Sequence, residues 1–591
     1  MTWCSNERGV GEATMQLVGI AAGKTQSIEM RSGPVQTAYL KTPVLGRCYV
    51  HEAGLEGNET AVHPDAIYAI ASEHYDYWAA QLGTDRAAWL PGHFAEQLTI
   101  SGLDESTLRI GDVIEIGPDV TLIVAGPRIP CFKLAWRLAQ PDTFIREFGL
   151  SGRSGVYFGV RKAGWIETGM AAKIVNHQPA HPTVAEVAKL ALDCPQPPEH
   201  AIRMLLALPY FSKSVGLVLG SLLMRVVDQR PEPALWKDWR EFTVARTVDE
   251  ATDVKSLTLV PSDGQPLPRS RAGQFVAVRV PLSDADAVVR PWSLSDYTEN
   301  PNSFRITVKR NIGGAGSSRL HDTARVGARL LLRAPSGRFV LDRAGFMPVV
   351  LIGAGIGITP LLAMAKAHLA RGDSAPPLRI IHCVKNADTH PMRQEIDSLA
   401  ALYPQLRIYY AYSQPTPADI AHGRFHRHGH LSANDVIAAL DGAAIALGNK
   451  RVAVPWFESD FYLCGPETFE TTLAAELIAL GARKNRIFVE RFQSRGVMPA
   501  DSRLERADIV FARSGKTVTW TEAEGLTLLE LAEKAGLAPP SGCRIGVCLS
   551  CQCELLAGDV QYEFRPIGET RDRTALLCCA KPSTGKLVLA L

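Results

Sequence analysis

The stretch Ser541-Gly542-Cys543-Arg544-Ile545-Gly546-Val547-Cys548-Leu549-Ser550-Cys551-Gln552-Cys553 holds four of the chain's twelve cysteines within eleven residues. Cys578 and Cys579 follow downstream. Disulfide frameworks belong to oxidising compartments and small scaffolds. In this 591-residue chain cysteine is sparse elsewhere, so with a cytoplasmic location the cluster reads as a metal site. Zinc ribbons usually pair two C-x-x-C knuckles. Here the spacing is Cys543-x4-Cys548-x2-Cys551, which suits a ribbon poorly.

The same spacing matches that of plant-type [2Fe–2S] sites. A tight loop can turn three thiolates and several backbone N–H groups toward two irons, while the fourth ligand comes from a distant strand. Gly542 and Gly546 allow the necessary curvature. Around the loop lie the hairpin "ADIVFARSGKTVTW", turning at Ser514-Gly515, and a helix with Thr527 and Glu530 as a capping box and Gly536 at its end. Residues 505–591 resemble a plant-type ferredoxin domain over the whole segment. That resemblance implies a β-grasp fold and iron ligation by Cys543, Cys548, Cys551 and one later cysteine. Cys578 stands four residues before Pro582 and ahead of the apolar "LVLAL", as the last ligand does in such domains. Cys553 and Cys579 then read as small buried apolar residues.

Composition sets the frame for the rest. The length calls for about three to five domains. Lys+Arg is 63 against Asp+Glu 61, a formal charge of +2 with no basic tract, so neither nucleic acid nor a charged membrane surface is indicated as a partner. The start, "MTWCSNERGVGEATMQ", has no basic head followed by an apolar run. Val215 to Met224, "VGLVLGSLLM", is too short to span a bilayer and reads as a buried helix.

Upstream of the cysteines, "DFYLCGP", "LRIIHCVK" and "PVVLIGAG" each precede a helical pattern, which argues for a parallel sheet with helices on its faces. In "VVLIGAGIGITPLLAM", Gly353, Gly355 and Gly357 follow an apolar strand, with Thr359 read as the helix N-cap and Pro360 as its first residue. Unpaired N–H groups there suit a dinucleotide pyrophosphate. Before that segment, "FTVARTV", "SLTLVP", "QFVAVRVP", "FRITVKR" and "RLLLRAP" fit an antiparallel barrel. The barrel motifs resemble the ferredoxin–NADP reductase superfamily: "RPWSLSD" at Arg290–Asp296, "VKRNIGGAGSSRLHD" at Val308–Asp322 and "APSGRFVLD". The resemblance implies that Arg290 pairs with flavin phosphate, that Trp292 replaces the usual tyrosine against the isoalloxazine, and that Ser293 approaches N5. It further implies that Gly313, Gly314 and Ser317 meet a phosphate and Phe339 the adenine of FAD, with FMN as the alternative flavin. "YLCGPE" with Cys464, Gly465 and Pro466 resembles the nicotinamide-side motif, with Cys464 near hydride transfer. "VERF", through Phe492, resembles the segment that closes on the flavin. "YSQPTPAD" offers no clear arginine for a 2′-phosphate, so NADH is favoured over NADPH.

The first third is strand-rich to about residue 175, then turns helical in "TVAEVAKLALD", "EHAIRMLLAL" and "SVGLVLGSLLMRV". "GPRIPCFKLAWRL", with "AIASEHYDYW", "GLDESTLRIGDVIEIG" and "SGRSGVYFGV", resembles the MOSC superfamily. That resemblance implies Cys131 as a thiolate ligand of molybdenum, with Arg128 and Lys133 pairing with the pterin phosphate. Two departures stand out: Gly57-Asn58 with His63-Pro64 replaces an acidic G-D and H-G-G segment, and Ala95-Glu96-Gln97-Leu98 replaces G-E-N-L.

The expected fold is multidomain α+β and α/β. Its parts are a β-rich MOSC barrel (15–178), a three-helix extension (179–228), a flavin-binding antiparallel β-barrel (237–343), a Rossmann-like NAD(P) domain (345–493) and a β-grasp ferredoxin domain (505–591). The expected enzyme is a flavoprotein iron–sulfur oxidoreductase. It passes electrons from NAD(P)H to FAD, to [2Fe–2S] and to a molybdenum site at Cys131 that reduces N-hydroxylated or N-oxide small molecules. The alternative is an electron-transfer component for a Rieske oxygenase or cytochrome P450, with the MOSC region as a metal-free docking module.

Overall fold

The computed structural model describes residues 15–30, 33–59, 65–228, 236, 238–283, 287–372, 375–447, 450–491, 504–541, 544, 546, 549–562 and 572–591. The chain gathers into two compact units, Met1–Arg230 with Arg343–Phe346 and Gly442–Pro455, and Pro231–Asp342 with Met347–Asp441 and Trp456–Leu591.

In the first unit seven strands close into a barrel. Ala171–Asn176 pairs in turn with Val113–Ile116, Val120–Pro127, Val156–Lys162, Ile67–Ala71, Leu98–Ser101 and Met15–Ala22, which returns to Ala171–Asn176 through Met15 opposite Ala172. Closure leaves these strands no open edge. In Met15–Ala22 the inward residues Met15 and Leu17 are buried while Gln16 and Val18 face out, the two-residue period of a strand. One neighbouring pair, Ile67–Ala71 with Leu98–Ser101, is parallel. A parallel pair needs a crossover, and the helix Ser72–Leu82 lies in that connection. This helix and two others, Phe132–Arg137 and Thr143–Leu150, interrupt a region whose pattern promised strands. Their aromatic faces build a second cluster, with Trp78 stacked on Phe148 at 4.7 Å. The three later helices are Val184–Leu192, Glu199–Leu206 and Lys213–Asp228. They lay Val187, Leu190, Ile202, Leu205, Val215 and Leu219 into the same core as the barrel. Lys213–Asp228 buries only the Val215–Leu219 stripe fully, so it is half-buried rather than enclosed. Among the described residues no helix is long and apolar enough to cross a membrane.

The second unit opens with six antiparallel strands in the order Ala287–Ser293, Phe275–Pro281, Arg329–Leu332, Arg240–Ala251, Val254–Pro261, Phe304–Lys309. A bridge between Leu294 and Ile306 brings the last strand back to the first. The next sheet is parallel, ordered Arg427–His428, Leu406–Tyr412, Leu378–Val384, Val349–Ala354, Asp460–Gly465, Ile487–Arg491. Strand order reverses beside Val349–Ala354, so a crevice opens at the carboxyl ends of Val349–Ala354 and Asp460–Gly465, where doubly wound sheets bind ligands. Arg305 of the barrel reaches the helix Arg393–Leu402 with two bonds to Glu395 at 2.9 and 3.2 Å, and Lys366 joins Glu395 to Asp296 at 2.5 and 2.6 Å. These ion pairs tie the barrel to the parallel sheet.

The C-terminal segment forms a five-stranded sheet ordered Lys516–Thr521, Arg506–Phe511, Lys586–Leu589, Gln552–Ala557, Thr574–Leu576, packed on the helix Leu528–Lys534. The turn at Gly515 (φ +68°), the capping box of Thr527 and Glu530, and Gly536 (φ +74°) after the helix all stand where the sequence puts them. A second capping box, Thr183 with Glu186, starts Val184–Leu192. Because that helix fills the first barrel's core, Thr183→Ala is expected to lower the stability of the N-terminal unit by about 1 kcal/mol, read as a shift of its thermal transition with the [2Fe–2S] and flavin absorbances unaffected.

Candidate functional site

The crevice of the parallel sheet is built by close approach. After Val349–Ala354 the chain makes one tight turn, Gly355–Gly357, and enters the helix Ile358–Leu369. Gly355 is left-handed at φ +55°. A Cβ on Gly357 would lie 2.1 Å from the Cys464 carbonyl oxygen, and one on Gly353 3.2 Å from Ile358. Gly357, not Thr359, is the N-cap; Thr359 is the second residue of the first turn, buried, donating its hydroxyl to Ile356 O at 3.0 Å. The sequence reading placed the cap two residues late because the turn itself is helical and Pro360 fits any position of a first turn.

Cys464 and Gly465 end their strand inside this crevice, both buried, with Pro466 exposed as the N-cap of Glu467–Ala479. Gly465 N–H donates to Glu470 Oε1 at 2.7 Å. Cys464 pairs in register with Glu490 on the neighbouring strand. Burial, then Glu490 and Glu470, hold the Cys464 thiol well above its ordinary range. Burial and the Glu470 charge push the Glu490 carboxyl up to about 8. Glu490 was missed in the sequence although it lies inside "VERF"; parallel register with Cys464 is what singles it out. Phe492 lies outside the described residues.

On the barrel, Arg290 is exposed on Ala287–Ser293, donating to Val289 O at 2.9 Å, while Ser293 is buried at the strand end. Gly313 is left-handed at φ +78° and Gly314 caps the helix Ala315–Thr323. Ser317 Oγ accepts from Asn311 N–H at 3.1 Å and donates to Gly314 O at 3.3 Å, so its hydroxyl shapes the turn. A Cβ on Gly316 would lie 3.2 Å from Arg290 and 3.9 Å from Trp292. The two halves of the expected flavin site therefore meet: the Arg290–Trp292 strand and the start of this helix share one surface. Phe339 is buried, edge-on to Tyr462 at 5.9 Å.

In the ferredoxin-like segment Cys543 and Cys548 lie outside the described residues, and among the described residues no group of three metal-ligating side chains is assembled. Cys551 and Cys578 are both buried and in contact, and Cys578 Sγ accepts Gly546 N–H at 3.2 Å. Arg544, Gly546 and Leu549 all take left-handed φ, at +56°, +75° and +58°. That succession curls the loop around the thiols, and Arg544 is fixed there by Glu533. The donor set suits a thiolate-held cluster.

The first unit carries a pocket of about 60 Å³, partly open to solvent, whose walls include Tyr39, Lys41, Glu59, Asp65, Arg128 and Lys133. Arg128 is buried, its guanidinium 5.2 Å above the Tyr68 ring and beside the Tyr39 hydroxyl, and its Nη1 has no hydrogen-bond partner. An unpaired buried N–H costs about 1–3 kcal/mol, so this nitrogen suits an acceptor. Burial lowers Lys133 and brings Lys41 down to about 8. Cys131, half-buried, caps Phe132–Arg137 within electrostatic reach of Arg128, Lys133 and Tyr39. Ala95 turns left-handed at φ +67°. Glu96 accepts from Gly92 N–H at 2.6 Å, Phe94 N–H at 3.1 Å and Thr99 at 3.1 Å, and from Tyr75. Gln97 accepts from Tyr68 N–H at 2.9 Å and donates to Ala66 O at 3.2 Å. His63 and Pro64 lie outside the described residues; Lys41 bonds Asn58.

Two outcomes follow from the crevice. Gly357→Ala should cost about 1–3 kcal/mol through overpacking and weaken nicotinamide binding, checked by thermal unfolding and NADH titration. Glu490 holds its proton to about pH 8, against about 4.5 for an ordinary glutamate, so its contribution to stability is lost as pH rises between those values. Glu490→Gln should flatten that slope, measured as melting temperature at pH 5 and pH 8.5.

Four family models match along the chain: MOSC domain over residues 57–173, Oxidoreductase FAD-binding domain over 241–341, Oxidoreductase NAD-binding domain over 351–474, and 2Fe-2S iron-sulfur cluster binding domain over 511–583. The chain is similar to the flavohemoprotein of Deinococcus radiodurans, 36% identical over 262 residues, which are 44% of this chain and 61% of that protein. It is also similar to the flavohemoprotein of Burkholderia sp. (strain TH2), 34% identical over 282 residues, 48% of this chain and 66% of that one. The chain spans about 61% of the length of the first of these curated relatives. Among solved structures it is similar to the flavohem-like FAD/NAD binding domain of nitric oxide dioxygenase from Vibrio cholerae O1 biovar El Tor (30% identity, TM-score 0.36, 43% of this chain and 99% of that one). It is likewise similar to phthalate dioxygenase reductase (22% identity, TM-score 0.40, 60% of this chain and 98% of that one). MOSC, FAD-binding, NAD-binding and 2Fe-2S domains thus follow one another in order along the chain.

Proposed function

We propose that the chain moves reducing equivalents from NAD(P)H, with NADH favoured, through FAD and a [2Fe–2S] centre to a molybdenum cofactor at Cys131. There it reduces N-hydroxylated or N-oxide small molecules. The observation that carries this reading is the pocket lined by Arg128, whose Nη1 lacks a partner, with Lys41 and Lys133; Arg128 and Lys133 stand within electrostatic reach of Cys131. A phosphate-bearing anion would satisfy the orphan nitrogen and offset the charges of Arg128 and Lys133. Cys131 would supply the thiolate ligand, and Arg128 with Lys133 the phosphate contacts.

When bound, nicotinamide supplies a hydride, flavin divides the electron pair, the iron–sulfur centre carries single electrons, and molybdenum accepts an oxygen atom. The chain's part is to bind, orient and exclude water. Gly353, Gly355 and Gly357 would admit the pyrophosphate, and Gly465 and Pro466 would present Cys464 to the nicotinamide. Arg290, Trp292 and Ser293 would hold the flavin with Gly313, Gly314 and Ser317, and Phe339 would face its adenine. Cys543, Cys548, Cys551 and Cys578 would hold the cluster. Overall, two electrons and two protons convert an N-hydroxyl group to N–H, or an N-oxide to the free amine, and release the oxygen as water.

A second reading sends the electrons to a separate oxygenase, with a metal-free N-terminal unit as docking module. Gln97 favours it, because both ends of its amide are spent on backbone groups, and Ala95 occupies a left-handed position suited to glycine. Iron, molybdenum and flavin analysis of the purified protein separates the two. Under the first reading molybdenum is present, and Cys131→Ala abolishes N-hydroxyl reduction while NADH-driven reduction of ferricyanide continues. Molybdenum-free protein with full electron delivery is the outcome that decides for the second. In either case Cys578→Ser should remove the visible cluster spectrum while NADH still bleaches the flavin, and Arg290→Ala should release flavin on gel filtration by losing a charge-assisted contact.

A further inference from the structure

Two buried imidazoles lie beneath the glycine turn. His382, on Leu378–Val384, is fully buried and places Nε2 2.8 Å from Gly355 O. A carbonyl only accepts, so the proton is on Nε2. The same carbonyl accepts the N–H of Ile358, so the whole turn hangs on one oxygen with two donors. His390 packs edge-on to His382, ring centres 4.7 Å apart at 80°. Its Nδ1 lies 2.9 Å from the Tyr412 hydroxyl, which accepts from Arg393 Nη1 at 2.9 Å. The Tyr412 oxygen thus bridges Arg393 and His390, while His382 donates separately into Gly355. Burial keeps both rings neutral, His382 down to about 4 and His390 to about 2. His382 Nδ1 and His390 Nε2 are left without hydrogen-bond partners, so neither ring has a second anchor.

We propose that His382 is the positioning residue of the dinucleotide-binding turn. By fixing the Gly355 carbonyl inward it turns the N–H groups of the turn and the following helix outward, toward the coenzyme pyrophosphate. Gly355, at φ +55°, has no Cβ to hold that orientation, and without His382 the carbonyl would keep only the bond from Ile358 N–H. The His390–Tyr412–Arg393 chain packs the imidazole from behind. This inference rests on the NAD-binding domain and is independent of the terminal acceptor.

The test is stopped-flow reduction of the flavin in the intact holoprotein, with whichever of NADH and NADPH reduces it faster. Loss of one hydrogen bond should raise the apparent coenzyme Kd about tenfold in His382→Leu, with flavin content and the limiting reduction rate unchanged. His382→Gln, whose amide Nε2 reaches the same oxygen, should return to within about threefold of the unmodified protein. An unchanged Kd in His382→Leu, or an equal loss in limiting rate, overturns the role. Should His382→Leu fail to fold, His382→Gln and His382→Asn decide: a raised Kd in Asn alone supports the proposal, and equal values in both variants refute it.

Discussion

The reductase half of this chain depends on one steric constraint. Gly357 packs against the Cys464 carbonyl so closely that no side chain fits, and this contact brings the ends of two parallel strands together at the point where strand order reverses. Widening it by one methyl group would separate the glycine turn from Cys464, Gly465 and Glu490. The ion pairs from Arg305 and Lys366 to Glu395 and Asp296 then hold the flavin barrel against the same sheet. Packing sets the local crevice and charge sets its partner surface. The proposed hydride transfer requires both at once, because reacting atoms must be held at near-contact distance.

Much of this was legible in the sequence wherever a motif carries its own geometry. Glycines after an apolar strand, a Ser-Gly hairpin turn and a Thr-x-x-Glu cap act within a few residues of themselves, and each appears as read. What escaped was long-range. Glu490 gains its meaning from Cys464, 26 positions away in sequence but adjacent in register. Arg128 and Tyr39 become a site only when barrel closure brings strands and loops from both ends together. The helix Ser72–Leu82 was hidden because aromatic and β-branched residues around it mimic strand composition, yet its Tyr75, Trp78 and Ala79 face one cluster at helical spacing. Thr359 shows the opposite error, a sound capping rule applied to a turn that was already helical.

The two halves handle charge differently. In the crevice, Glu470 and Glu490 gather by a buried thiol, and the Glu490 carboxyl shifts upward. In the first unit, buried Arg128 and Lys133 line a pocket that Glu59 and Asp65 also border, with a guanidinium nitrogen left unpaired. A protein tolerates such a cost when another molecule removes it.

The seven-stranded barrel joins Met15 to Ala172, so its first strand waits for its last. During synthesis that interval leaves an apolar strand without a neighbour on one side until about 150 further residues have emerged, at a few residues per second to some twenty. The helices whose leucines complete its core come later still. Newly made chains are thus exposed to mispairing for many seconds at their amino end, and chaperone demand during expression should fall chiefly on that region, not on the reductase modules that follow.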